Sequence, residues 1–173
     1  MKYIVGPNTK ESIRYASDLS AVWNDAGFVI YQNPNAFPRA YITSLYVVEK
    51  DNSRLISKVF DEDVDLRKIT ILEKDPQVKF NAPSDNSSQI ISYSANKVTI
   101  KGKSASGGIL FLSDNYYPGW IAYIDNKKTN VYRANYSFRA VVFPRGEHTV
   151  VFSYEPIIVK IGLLVTVSGL IIL

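Results

Sequence analysis

From Ile90 to Tyr154 turn signals recur about every ten residues, a spacing that leaves few folds open besides a β-sandwich or jelly roll. IISYSANKVTIKGK (90–103) breaks at Ala95-Asn96, and GGILFLS (107–113) follows it. In WIAYID (120–125), Trp120, Ala122 and Ile124 share one face of a strand while Ile121, Tyr123 and Asp125 share the other. KKTNVYR (127–133) pairs back across Asp125-Asn126. YSFRAVVF (136–143) turns at Pro144 to Glu147 into HTVVFSY (148–154), where Val150, Phe152 and Tyr154 alternate with Thr149, Val151 and Ser153. The simplest path through these strands is a meander. The 12 Tyr, 8 Phe and 2 Trp agree with a sheet, because aromatic side chains fit its pleated surface.

Upstream, AVWNDAGFVIYQ (21–32) reads as two short strands around Asn24-Asp25-Ala26-Gly27, RAYITSLYVVE (39–49) as one strand and KITILE (68–73) as another. Asp51-Asn52-Ser53 caps a short helix with Leu55, Ile56, Val59 and Phe60 on one face, stopped by Asp61-Glu62-Asp63. QVKFNAPSDNSSQ (77–89) is the most loop-like stretch.

The 173 residues suffice for one sizeable core without disulfide or metal staples. With no cysteine, disulfides, thiolate zinc sites and cysteine nucleophiles are excluded. A net charge of +4 comes from 20 basic residues interleaved with 16 acidic ones, and no run of Lys or Arg forms a stripe for nucleic acid.

After Tyr154-Glu155-Pro156 comes IIVKIGLLVTVSGLIIL (157–173), apolar but for Lys160, Thr166 and Ser168. As a helix its 17 residues reach roughly 25 Å, slightly short of a bilayer core of about 30 Å. It reads as a membrane helix that stops early, with the Lys160 stem free to snorkel to the headgroups. MKYIVGPN at the other end lacks the apolar stretch of a signal peptide. The expected protein is therefore mainly β: an antiparallel β-sandwich or jelly-roll-like domain with one short helix over residues 1–155, then a truncated transmembrane helix over 156–173. A domain tethered only at its carboxyl end, without an address of its own, points to a piece of a longer membrane protein.

LSDNYYPGWIAYIDNKKTNVYRANYSFRAVVFPRGEHTVVFSYEP (112–156), followed by an apolar helix, resembles the carboxyl-terminal extracytoplasmic domain of the YfhO family of bacterial membrane proteins. VIYQNPNAFPRAYI (29–42) resembles the family's other signature block. The resemblance covers essentially the whole chain. Asn126 replaces the usual Gly after Asp, a change a left-handed turn absorbs, and Phe37 replaces the usual Leu. The family's many amino-terminal membrane helices are not among these residues. The resemblance implies a parent like a GT-C type glycosyltransferase, which takes sugar from a polyprenyl-phosphate donor and places it on cell-envelope acceptors at the outer face. Its catalytic carboxylates sit between early membrane helices, so this chain is expected to be inactive alone.

Independent chemistry is sparse. His148 is the only histidine and no Gly-x-Ser-x-Gly elbow accompanies it, Gly107-Gly108 lacks the pattern of a phosphate loop, and Asp61 to Asp65 lacks the spacing of a calcium loop. No catalytic residue, metal ligand or cofactor is expected. The candidate sugar contacts are Tyr116, Tyr117 and Tyr136 in loops, Trp120, and nearby hydrogen-bonding groups such as Asn135 and Arg139. For Trp120, packing between two sheets is favoured over a sugar platform, because Ala122 and Ile124 share its face; Tyr117 is expected to cover its edge. Arg39 and Arg139 lie among apolar residues in the two signature blocks, so at least one should pair with Asp114 or Asp125. Three functions follow: an accessory domain of a membrane glycosyltransferase, a membrane-tethered carbohydrate-binding module, or a docking scaffold without sugar contact. The expected partners are the lipid bilayer, the rest of the parent protein and an envelope glycan, with no nucleic acid.

Overall fold

A computed structural model describes residues 2–8, 18–80 and 85–172, so part of the loop-like stretch 77–89 lies outside the described residues. The chain groups into two compact units, Met1–Pro38 and Arg39–Leu173.

The first unit is a three-stranded antiparallel sheet, ordered β1 (Tyr3–Pro7), β3 (Phe28–Gln32), β2 (Ser20–Asn24). Its turn falls where Asn24 to Gly27 predict it. Asp25 Oδ1 accepts from the amides of Gly27 and Phe28 at 2.8 and 2.7 Å, closing the loop locally. Val29 and Tyr31 are buried, with Leu19 packed on them.

The second unit is built on two sheets. The larger runs β4 (Ala40–Thr43), β9 (Gly108–Asn115), β13 (Phe138–Phe143), β12 (Tyr132–Ala134), β6 (Ile69–Leu72), β5 (Leu45–Val48). The smaller runs β11 (Lys127–Thr129), β10 (Trp120–Ile124), β14 (Gly146–Tyr154), β8 (Lys97–Ser104), β7 (Asn86–Ser94). Ile42, Leu110, Leu112, Val141 and Phe143 from the first sheet meet Val98, Ile100, Ala122, Val150 and Phe152 from the second. That shared core makes the pair a sandwich, and each fully buried Val, Leu, Ile or Phe in it contributes about 1.5–3 kcal/mol. Val150 and Phe152 point inward as alternation requires.

The meander is corrected. β7 and β8 form a hairpin, then the chain crosses to β9, back to β10 and β11, across to β12 and β13, and back to β14. Both faces of a sandwich need apolar strands, and alternation along one strand does not say which sheet it joins. RAYITSLYVVE is corrected too: Ser44 divides it, and β4 and β5 lie on opposite edges of the six-stranded sheet. β5 pairs parallel with β6, and the helix α1 (Asn52–Val59) lies between them in the chain, as a parallel crossover requires. Asp51 caps α1 by accepting from the Arg54 amide at 2.9 Å. Of the four apolar residues expected on one face only Leu55 is buried, while Phe60 is 81% exposed. Strand β7 starts at Asn86, inside the stretch read as loop.

The outer face of the six-stranded sheet carries a second apolar layer. Phe111 packs against Tyr41 and Phe138 at ring distances of 4.8 and 5.4 Å, and Tyr46 donates its hydroxyl to the Val78 carbonyl at 2.6 Å. Burial pushes the Tyr41 hydroxyl up to about 12.

At the carboxyl end the expected helix is present as α2 (Ile157–Ile172), whose 16 residues rise about 24 Å. Among the described residues no helix is long and apolar enough to cross a membrane, which says nothing of crossing by strands.

Among the described glycines, Gly108 leaves the least room to a neighbouring backbone. A Cβ there would meet the Thr43 carbonyl oxygen at 2.5 Å and Ile42 Cγ2 at 2.7 Å, whereas at Gly6 it would meet nothing within 4 Å. Gly108→Ala should cost about 1–3 kcal/mol by urea denaturation and Gly6→Ala within about 0.5 kcal/mol of nothing. Equal costs at both positions would contradict the β4–β9 packing.

Candidate functional site

Along β13, Arg139 alternates with Val141 and Phe143, so it faces the space between the sheets. It is 1% exposed. Its guanidinium lies 3.7 Å from the Trp120 ring centroid and 5.4 Å from that of Phe152, both on the opposite sheet. Nη2 donates to Asp114 Oδ2 at 2.8 Å, while Nε and Nη1 are buried without a partner among the described residues. Aromatic faces and one carboxylate thus replace water around a charge whose bare burial is costly.

Asp114 is aimed there by an irregularity. Phe138 pairs with Asn115 but Arg139 pairs with Leu112, leaving Ser113 and Asp114 bulged out of the ladder. The same carboxylate takes Arg39, whose Nε and Nη2 donate to Oδ1 at 3.1 and 2.8 Å. Arg39 also donates to the Tyr93 hydroxyl at 2.5 Å and stacks on that ring at 4.3 Å, and the hydroxyl donates to Asp114 Oδ2 at 3.1 Å. Environment sets the two arginines apart. Burial lowers the Arg139 pKa against the pull of Asp114, whereas the Asp114 hydrogen bond raises that of the more exposed Arg39.

These groups wall a cleft of about 370 Å³, lined by Arg39, Tyr93, Asp114, Asn115, Trp120 and Arg139 among others. Two guanidiniums against one carboxylate give it one net positive charge. Of the candidate sugar contacts, Trp120 and Arg139 meet here. Trp120 also packs on the sandwich core, and Tyr154 rather than Tyr117 covers it, at 5.4 Å between rings. Asn135 is engaged elsewhere: its amide donates to the Ile71 carbonyl at 2.8 Å, and its Oδ1 accepts from the Ile71 amide at 2.9 Å. Tyr136 lies under the Arg133 guanidinium at 5.0 Å. Tyr116, Tyr117 and Tyr136 are 38, 61 and 38% exposed, at the end of the sandwich from which α2 departs. Gly119 makes that departure possible, with φ +104° and a would-be Cβ 2.9 Å from the Tyr154 ring.

The family profile described as Bacterial membrane protein YfhO matches residues 63–166, well over half of the chain. The chain belongs to the YfhO family. Neither the curated proteins nor the solved structures contain a match to it. Membership places this YfhO chain among bacterial membrane proteins. The matched span holds Asp114, Trp120 and Arg139, while Arg39 lies outside it.

At the far end of this YfhO sandwich His148 pairs with the other candidate acid. Nδ1 meets Asp125 Oδ2 at 2.5 Å and Nε2 meets the Arg145 carbonyl at 2.8 Å, so both ring nitrogens are occupied. A carbonyl only accepts, so Nε2 carries its proton and is not a base. Of the side chains that hydrogen-bond Asp114, Tyr93 is the one that sequence reasoning missed, read only as part of a hairpin. No group of three potential metal ligands occurs among the described residues.

Losing Asp114 strands a buried cation, whereas losing Arg39 removes a half-exposed one. Asp114→Ala should cost about 3–5 kcal/mol and Arg39→Ala about 0–1 kcal/mol in urea denaturation. Arg39→Ala as costly as Asp114→Ala would contradict the assigned roles. His148 has its pKa raised, first by the Arg145 carbonyl and then by Asp125. Its contribution is therefore complete below the ordinary histidine value of 6.5 and is lost as pH rises through the raised folded value. Thermal melts of the native chain and His148→Gln should differ most near pH 6 and converge by about pH 9.

Proposed function

We propose that this YfhO chain is a non-catalytic extracytoplasmic accessory domain of a membrane glycosyltransferase, which modifies cell-envelope polymers with a sugar delivered on polyprenyl phosphate. Family membership supports the membrane setting. The observation that carries the reading is that one end of the sandwich holds the Arg139–Trp120 cleft, three exposed tyrosines and the root of an apolar helix. An aromatic face stacks on the apolar face of a sugar ring, and guanidinium and amide groups bind its hydroxyls. Placed at the helix root, such groups steer a glycan toward whatever lies at the bilayer surface. The non-catalytic part rests on how the titratable groups are used: Asp114 serves two arginines and His148 has both nitrogens engaged.

The test measures sugar content of the envelope polymer in cells making the whole membrane protein. Tyr116→Ala, Tyr117→Ala and Tyr136→Ala together should cut it at least about tenfold at unchanged protein level, the scale of two or three lost stacking contacts. Unchanged sugar content would overturn the glycan-guiding role. Sugar transfer by the purified 173-residue chain alone would overturn the non-catalytic one.

A further inference from the structure

The outward face of the five-stranded sheet is basic in a way that the linear sequence hides. Along β8, Val98, Ile100, Gly102 and Ser104 are buried, so Lys97, Thr99, Lys101 and Lys103 point away from the core. Lys128 of β11 stands opposite Tyr123, which faces outward beside the buried Ala122. The three β8 lysines span about 20 Å along the strand, with Lys128 roughly 14 Å to the side. Glu147 is the one acid in all five strands, and it is already paired with Lys101. Asp125, at the neighbouring turn, is held by His148 and the Thr149 amide. Between the lysines lie hydroxyls of Ser92, Thr99, Thr149 and Ser153, each placed outward by its pairing. Lys101, Lys103 and Glu147 also line a shallow depression with Ser87 and Gln89.

We infer that this face binds a linear polyanionic polysaccharide. The spaced ammonium groups answer repeated negative charges, and the intervening hydroxyls and amide hydrogen-bond sugar hydroxyls. A nucleic acid would want a platform of stacked aromatics, and here Tyr123 is the lone outward ring among these strands. The inference rests on register and charge and is independent of the cleft at the helix end.

The test titrates polygalacturonate, neutral dextran, oligothymidylate and phosphatidylglycerol vesicles against the 173-residue chain in zwitterionic micelles. Polygalacturonate should bind, and dextran should not. Replacing Lys97, Lys101 and Lys103 by Gln should weaken polygalacturonate at least about tenfold and flatten its salt dependence. Replacing the exposed Lys50, Lys74 and Lys79 by Gln, an equal loss of charge, should change it less than about threefold. Equal weakening by both triples, no binding of polygalacturonate, tighter binding of oligothymidylate, or binding of vesicles alone would each overturn the proposal.

Discussion

A guanidinium sits where the two sheets of this sandwich close on each other. Arg139 occupies a position in the alternation that Val141 and Phe143 continue as ordinary core. An unpaired charge there would cost several kcal/mol, so its surroundings must hold Asp114 within hydrogen-bonding reach and Trp120 flat against it. The bulge at Ser113-Asp114, the positive-φ Gly119 ahead of Trp120 and the pairing of Trp120 with Tyr154 all serve that arrangement.

Sharing Asp114 extends the arrangement across the unit. Arg39 brings in the start of β4, and Tyr93 brings in β7 from the edge of the opposite sheet. One carboxylate thereby links three strands of one layer to the other through charge-assisted hydrogen bonds, which are shorter and stronger than neutral ones. It also leaves the cleft with more positive than negative charge. The same end of the sandwich releases α2, so the charged cleft and the exposed Tyr116, Tyr117 and Tyr136 gather where the chain turns apolar.

Several of these features were legible in the sequence for physical reasons. Strand existence followed from alternation, the Asp125-Asn126 turn from residues that accept positive φ, and the cap of α1 from Asp51. Arg39 and Arg139 announced a need for an acid because apolar residues flank both, and Asp114 met both needs while Asp125 went to His148. Other features are properties of pairing between distant segments. Nothing local to Ser113-Asp114 marks a bulge, because the mismatch exists only against β13. Ser44 is an ordinary residue, yet the chain parts there to opposite sheet edges. Lys97, Lys101 and Lys103 look interleaved until the strand period puts them on one face. The short helix between two β-branched segments did carry a signal of parallel pairing, which a βαβ reading of residues 45–72 would have caught.

Direct coupling between the buried guanidinium and its carboxylate underlies this arrangement. A double-mutant cycle by urea denaturation, with Arg139→Met, Asp114→Leu and the combination, measures that coupling with Arg39 left in place. The expected coupling is about 2 kcal/mol or more, with the combined variant more stable than Asp114→Leu alone. Strictly additive single effects would contradict it.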